Sequence, residues 1–106
     1  MKIIHHYYVY LVQCSDGSYY TGITNDLERR LYEHNSGMDR SCYTFKRRPV
    51  ELMYHEIFTD VNNAIKWEKQ LKGWSRKKKA SLINEDWEEL KRLSKSKNNN
   101  KNEMSG

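Results

Sequence analysis

The 106-residue chain holds two cysteines, one proline and no long apolar run. Two cysteines cannot build a disulfide framework, so Cys14 and Cys42 read as free thiols of a reducing, cytoplasmic setting. Without 18 consecutive apolar residues there is no membrane-spanning helix. The opening MKIIHHYYVYLV is broken by two histidines and three tyrosines, and no small-residue cleavage site follows, so it does not read as a secretory signal. Internal repeats are absent. So are the P-loop, GxGxxG, HExxH and paired CxxC patterns, which removes nucleotide cofactors and structural zinc as leading ideas.

What is present is a low hydrophobic fraction, 37%, enriched in aromatics at 12%. That supports one small domain with a modest core. The formal charge is +5, which favours an anionic partner such as nucleic acid. The charge is concentrated. Between Lys66 and Lys79 seven basic residues stand against Glu68 alone, and Lys46, Arg47 and Arg48 form a second cluster. Both clusters also read as solvated faces. Their interleaving with Tyr43, Phe45, Trp67 and Trp74 raises the nucleic-acid reading, because aromatics stack on bases.

Residues 7–13 (YYVYLVQ) and 19–23 (YYTGI) read as strands around an Asp16-Gly17 turn, which makes them an antiparallel hairpin. Gly22 inside the second strand signals close approach of another group, or a bulge. A helix is predicted from about Asn25, capped by Thr24 or Asn25, with Leu27 and Leu31 as its stripe and Gly37 as its stop. Residues 36–49 read as an irregular basic loop. A third strand is predicted over 50–58 from alternation, with Val50, Leu52, Tyr54 and Glu56 on one side. Asp60 caps a helix over 61–73 whose stripe is Val61, Ala64, Ile65 and Leu71. Two shorter helices follow at 76–83 and 86–94, the last presenting Trp87, Leu90 and Leu93. From Lys95 the composition is polar and reads as a disordered tail. The expected organisation is an α+β domain over 1–94, with a tail over 95–106.

Glu68 falls within the apolar stripe of its helix. Burying a carboxylate costs several kcal/mol unless it is paired or binds metal. It reads either as a Mg²⁺ ligand, since hard cations take oxygen donors, or as a stripe-edge glutamate paired with Lys69 or Lys72. Arg30 and His34, four apart on the first helix, are neighbours. They suit charge stabilisation and proton transfer at a phosphate, or simply a solvated face. Tyr8, Tyr10 and Tyr20 fit strands as ordinary residues. A catalytic tyrosine would need its pKa lowered by nearby cations.

These segments resemble the GIY-YIG nuclease superfamily over about residues 7–93, in particular its small single-domain bacterial members. Those are similar to the nuclease half of the excision-repair subunit that makes the first incision. YVY at 8–10 stands at the first motif, with Tyr8 in place of glycine. YTG at 20–22 stands at the second, with Thr21 in place of isoleucine. GITNDLERRLYEHNSG resembles the family's helix and AIKWEKQLKGWSRKKKASLI its C-terminal segment. Where such members carry Asn-Pro-x-Trp, this chain has Asn84-Glu85-Asp86-Trp87 without the proline, so Asn84 is given no role.

The resemblance implies a three-stranded antiparallel sheet flanked by helices. It implies Tyr10, Tyr20, Arg30 and His34 as catalytic residues converging on one face with Glu68, which would hold a divalent cation, Mg²⁺ or Mn²⁺. DNA is the implied substrate, contacted along its backbone by Arg40, Lys46, Arg47, Arg48, Lys72 and Arg76. Such contacts carry no sequence information. Selectivity for a DNA structure in repair or recombination is therefore expected, or a protein partner that targets the chain. The rival reading is a non-catalytic nucleic-acid-binding module on the same fold.

Overall fold

A computed structural model describes residues 4–95. By its contact pattern the chain forms two compact units that divide between Gly73 and Trp74, inside the span read from sequence as one domain.

The first unit contains strands β1 (Tyr7–Gln13), β2 (Tyr19–Thr24) and β3 (Glu51–Phe58) and helices α1 (Leu27–Ser36) and α2 (Val61–Lys72). The sheet is antiparallel in the order β2-β1-β3, so β1 is central. The Asp16-Gly17 turn forms as expected. Gly17 takes a positive φ of 85°, and Asp16 Oδ1 accepts from the Ser18 N–H at 3.0 Å. Across the turn, the Cys14 N–H donates to the Ser18 carbonyl at 2.8 Å.

Tyr10 and Val12 of β1 face α1 and, with Cys14 just after the strand, form a core with Val50. Tyr20, Leu27, Leu31 and Leu52 pack against it. The alternate residues Val9 and Leu11 are fully buried on the other face. There α2 crosses all three strands, and Trp67 Nε1 donates to Tyr54 Oη at 3.2 Å.

The structure departs from the sequence expectation at four places. First, α1 starts two residues later, because Asp26 is its cap. The Asp26 carboxylate accepts from the Arg29 N–H at 3.1 Å, while Thr24 Oγ1 accepts from the Asp26 N–H at 3.1 Å. Second, β3 does not alternate evenly. Val12 pairs with Leu52 and Leu11 with Tyr54, so a bulge at Met53 puts Leu52 and Tyr54 on opposite faces. Third, Val61 and Ile65 of α2 are exposed, and its inward side is Ala64 and Leu71 with half-buried Trp67 and Glu68. Finally, the loop after α1 is tied down. The Asn35 side chain both donates to and accepts from the Val50 backbone, and residues Phe45–Arg47 form a 3-10 turn.

The second unit contains α3 (Arg76–Ile83), with Ser75 Oγ accepting from the Lys78 N–H, and a helical run over 87–95 capped by Asp86. Trp87 is exposed rather than part of an apolar face. Of the tail expected from Lys95, Lys95 itself is helical, and 96–106 lie outside the described residues.

Candidate active site

Tyr10 of β1 pairs with Gly22 of β2. A Cβ at position 22 would overlap the Tyr10 ring, so the glycine is what lets the phenol lie across the edge strand. The ring reaches α1. Tyr10 Oη lies 2.8 Å from His34 Nε2, and His34 Nδ1 lies 2.8 Å from Thr44 Oγ1. Tyr10, His34 and Thr44 are 1%, 3% and 1% exposed. His34 is therefore not on a solvated face. Burial, followed by the charge of Arg30, pulls its pKa down to about 4 and keeps the imidazole neutral near pH 7.

Arg30, one turn before His34, stands near enough to the Tyr10 hydroxyl for its guanidinium to favour the ionised phenol. It also donates to Glu33 at 3.1 Å and lies 3.8 Å from an Asp39 oxygen. Burial works against its charge, but its neighbours Tyr10 and Glu33 prevail and hold its pKa above the usual value. Burial pushes Tyr10 up to about 12, only partly opposed by Arg30, so Tyr10 is a phenol.

Tyr20 completes the group. Its ring meets His34 edge-on at 5.4 Å and stacks with Tyr43 at 6.2 Å and 15°. It is half-buried, the more open of the two motif tyrosines. Burial raises its pKa, Cys42 adds to the rise, and Arg30 opposes it. Four residues from β1, β2 and α1 are thus brought together on the α1 face of the sheet.

Glu68 lies on α2, the helix that crosses the other face. Its side chain is 15% exposed, and its ion pair is with Lys72, at 3.7 Å. Among the described residues no hydrogen bond or ion pair links it to the Tyr10 cluster, so the structure joins the four residues to one another but not to Glu68. Among the described residues no group of three acidic, histidine or cysteine side chains is placed to hold a metal. A lone, largely buried carboxylate whose lysine partner stands beyond hydrogen-bond distance still fits Mg²⁺. That ion commonly takes one or two protein carboxylates and keeps water and substrate phosphate as its other ligands.

The expected DNA-binding residues differ in how they are held. The Arg47 guanidinium lies 3.8 Å over the Tyr43 ring and donates to Asp16 at 3.1 Å and to the Tyr43 carbonyl at 2.9 Å. Arg40 and Arg48 both lie over the Phe45 ring, and Arg48 donates to the Phe45 carbonyl. Tyr43 and Phe45 are therefore occupied by the chain's own cations, which sets them apart from free base-stacking platforms. Lys46 is exposed on the same loop. Lys72 pairs with Glu68, and Arg76 opens α3 in the second unit.

Sequence reasoning missed Thr44, Cys42 and Asp39, which meet the site from the loop after α1. No periodicity or motif could have singled them out, because the loop's fold is set by contacts distant in sequence.

A model of the GIY-YIG catalytic domain matches residues 6–81. The chain is 51% identical over 81 residues to a UPF0213 protein of Bacillus pumilus, covering 76% of this chain and 82% of the relative. It is 47% identical over 79 residues to a UPF0213 protein of Staphylococcus saprophyticus, covering 74% and 95%. Among solved structures, an NMR structure of a protein from E. faecalis superposes with a TM-score of 0.53 at 40% identity, covering 78% of this chain and 85% of that one. A UPF0213 protein from Bacillus halodurans gives a TM-score of 0.50, also at 40% identity, covering 74% and 83%. Among the described residues no helix is long and apolar enough to cross a membrane.

Proposed function

The chain belongs to the GIY-YIG family, and from that premise we propose that it is an endonuclease that hydrolyses phosphodiester bonds in DNA with a divalent cation, Mg²⁺ or Mn²⁺. The observation that carries the reading is the convergence of Tyr10, Tyr20, Arg30 and His34. They come from three elements, and a packing role alone does not call for a fixed guanidinium beside two phenols.

In this reading Tyr20, the more open phenol, faces the attacking water and accepts its proton as phenolate. Burial opposes that ionised form, and Arg30 favours it. The water oxygen attacks phosphorus as the bond to the leaving oxygen breaks. Arg30, kept charged by its partners, neutralises the charge that develops on the phosphoryl oxygens. Tyr10, buried and bonded to His34, does not meet the water. A divalent cation held by Glu68 would polarise the phosphate and stabilise the leaving oxygen. Arg40, Lys46, Arg47, Arg48, Lys72 and Arg76 would meet backbone phosphates. Because such contacts carry no base information, we assign selectivity to DNA structure, with a place in repair or recombination.

The test is nicking of supercoiled plasmid and cleavage of a branched DNA at low salt, in Mg²⁺ or chelator, with Glu68→Ala and Arg30→Ala alongside. Cleavage that requires metal and disappears in both variants supports the reading. Absence of cleavage, with tight, salt-sensitive binding that Glu68→Ala leaves intact, would replace it with the non-catalytic binding module.

A further inference from the structure

The hydroxyl of Tyr10 has one hydrogen-bonding partner, His34 Nε2, at 2.8 Å. The nearby Arg30 guanidinium offers no alternative acceptor, because it only donates. The buried phenol proton therefore has a single acceptor, and Nε2 must be bare. Any other arrangement leaves that proton unsatisfied in the core. A neutral imidazole with bare Nε2 carries its proton on Nδ1. The atom facing Nδ1 at 2.8 Å is Thr44 Oγ1, which accepts. The Thr44 proton is then free to go to Cys42 Sγ, 3.4 Å away. The Tyr10, His34 and Thr44 protons are thereby each given to the next group in one direction.

We propose that Thr44 is a positioning residue of this site: by accepting from Nδ1 it supports the Nδ1–H tautomer of His34, which takes the Tyr10 proton on Nε2 and leaves the phenol oxygen's lone pairs to the neighbouring Arg30 guanidinium. Thr44 is suited to the task. It is 1% exposed, and its carbonyl accepts from the Arg47 N–H at 2.9 Å at the start of the 3-10 turn, which fixes its backbone beside His34. The effect on cleavage rests on the nuclease reading, but the tautomer does not.

The experiment reads the His34 ring nitrogens of ¹⁵N-labelled protein by long-range proton–nitrogen NMR at pH 7, in the native chain, Thr44→Ser and Thr44→Val. Valine keeps the branched shape and removes the hydroxyl, both the acceptor at Nδ1 and the donor to Cys42 Sγ. The native chain and Thr44→Ser should show protonated Nδ1 and bare Nε2, and Thr44→Val, in which either tautomer orphans one buried proton, should show a mixture of the two. DNA cleavage should fall about 10–100-fold in kcat in Thr44→Val, with KM little changed, and serine should restore it. A native His34 protonated on Nε2, or a Thr44→Val protein with unchanged tautomer, overturns the inference. Should valine prevent folding, the native and serine spectra still decide. Failure of the native chain to cleave DNA would count against the nuclease reading alone.

Discussion

The ring of Tyr10 occupies the space in which a side chain at Gly22 would stand. Tyr10 is buried and bonded to His34, so it cannot step aside. Gly22→Ala should therefore cost about 1–3 kcal/mol through overpacking and lower the urea midpoint. It should also weaken cleavage, because the displaced phenol no longer meets His34. An alanine variant as stable as the native chain would show that the ring is not held there.

The two motif tyrosines should separate on removal of their hydroxyls. Tyr20→Phe should keep stability near native and reduce cleavage by about 10²–10⁴-fold, the usual effect of losing a general base. Tyr10→Phe leaves His34 Nε2 without its donor and should destabilise by about 1–3 kcal/mol, with a smaller loss of cleavage. Parallel denaturation and nicking assays distinguish these roles. The reverse pattern would exchange them.

His34 predicts a specific loss of stability in acid. Folding lowers its pKa from 6.5 to about 4. Above pH 6.5 the imidazole is neutral whether the chain is folded or not. As pH falls from 6.5 toward 4, the unfolded chain binds a proton that the folded chain refuses, so folding stability declines through that window, by roughly 3 kcal/mol at its lower end. Denaturation curves at pH 7 and pH 5 should show the decline, and His34→Gln should lessen it.

Thr21 stands where family members carry isoleucine, and its hydroxyl is the one buried side-chain oxygen or nitrogen among the described residues without a hydrogen-bond partner. Replacement by valine keeps the branched shape of the strand residue and removes that unsatisfied group. Thr21→Val should stabilise the protein by about 1–2 kcal/mol, read as a higher melting temperature, with cleavage unchanged.

The sequence alone determined the elements and their order. The Asp16-Gly17 turn, the Asp60 cap and the Gly37 stop act through bonds to near neighbours, so the residues that make them lie close together in the chain. It also marked Tyr10, Tyr20, Arg30 and His34, through motif spacing. Only the tertiary structure decided what surrounds them. Burial of His34, and hence its neutrality, depends on β1 and on a loop ten residues away. The stripe of α2 was misread because the apolar side chains of Val61 and Ile65 face outward, and nothing in a local 3.6-residue pattern reports which side meets the sheet. The Met53 bulge, likewise, arises from pairing with β1 rather than from β3 itself. Thr44 became visible only in the fold, because a hydroxyl takes its role from the donor it faces, and that donor was supplied by another element.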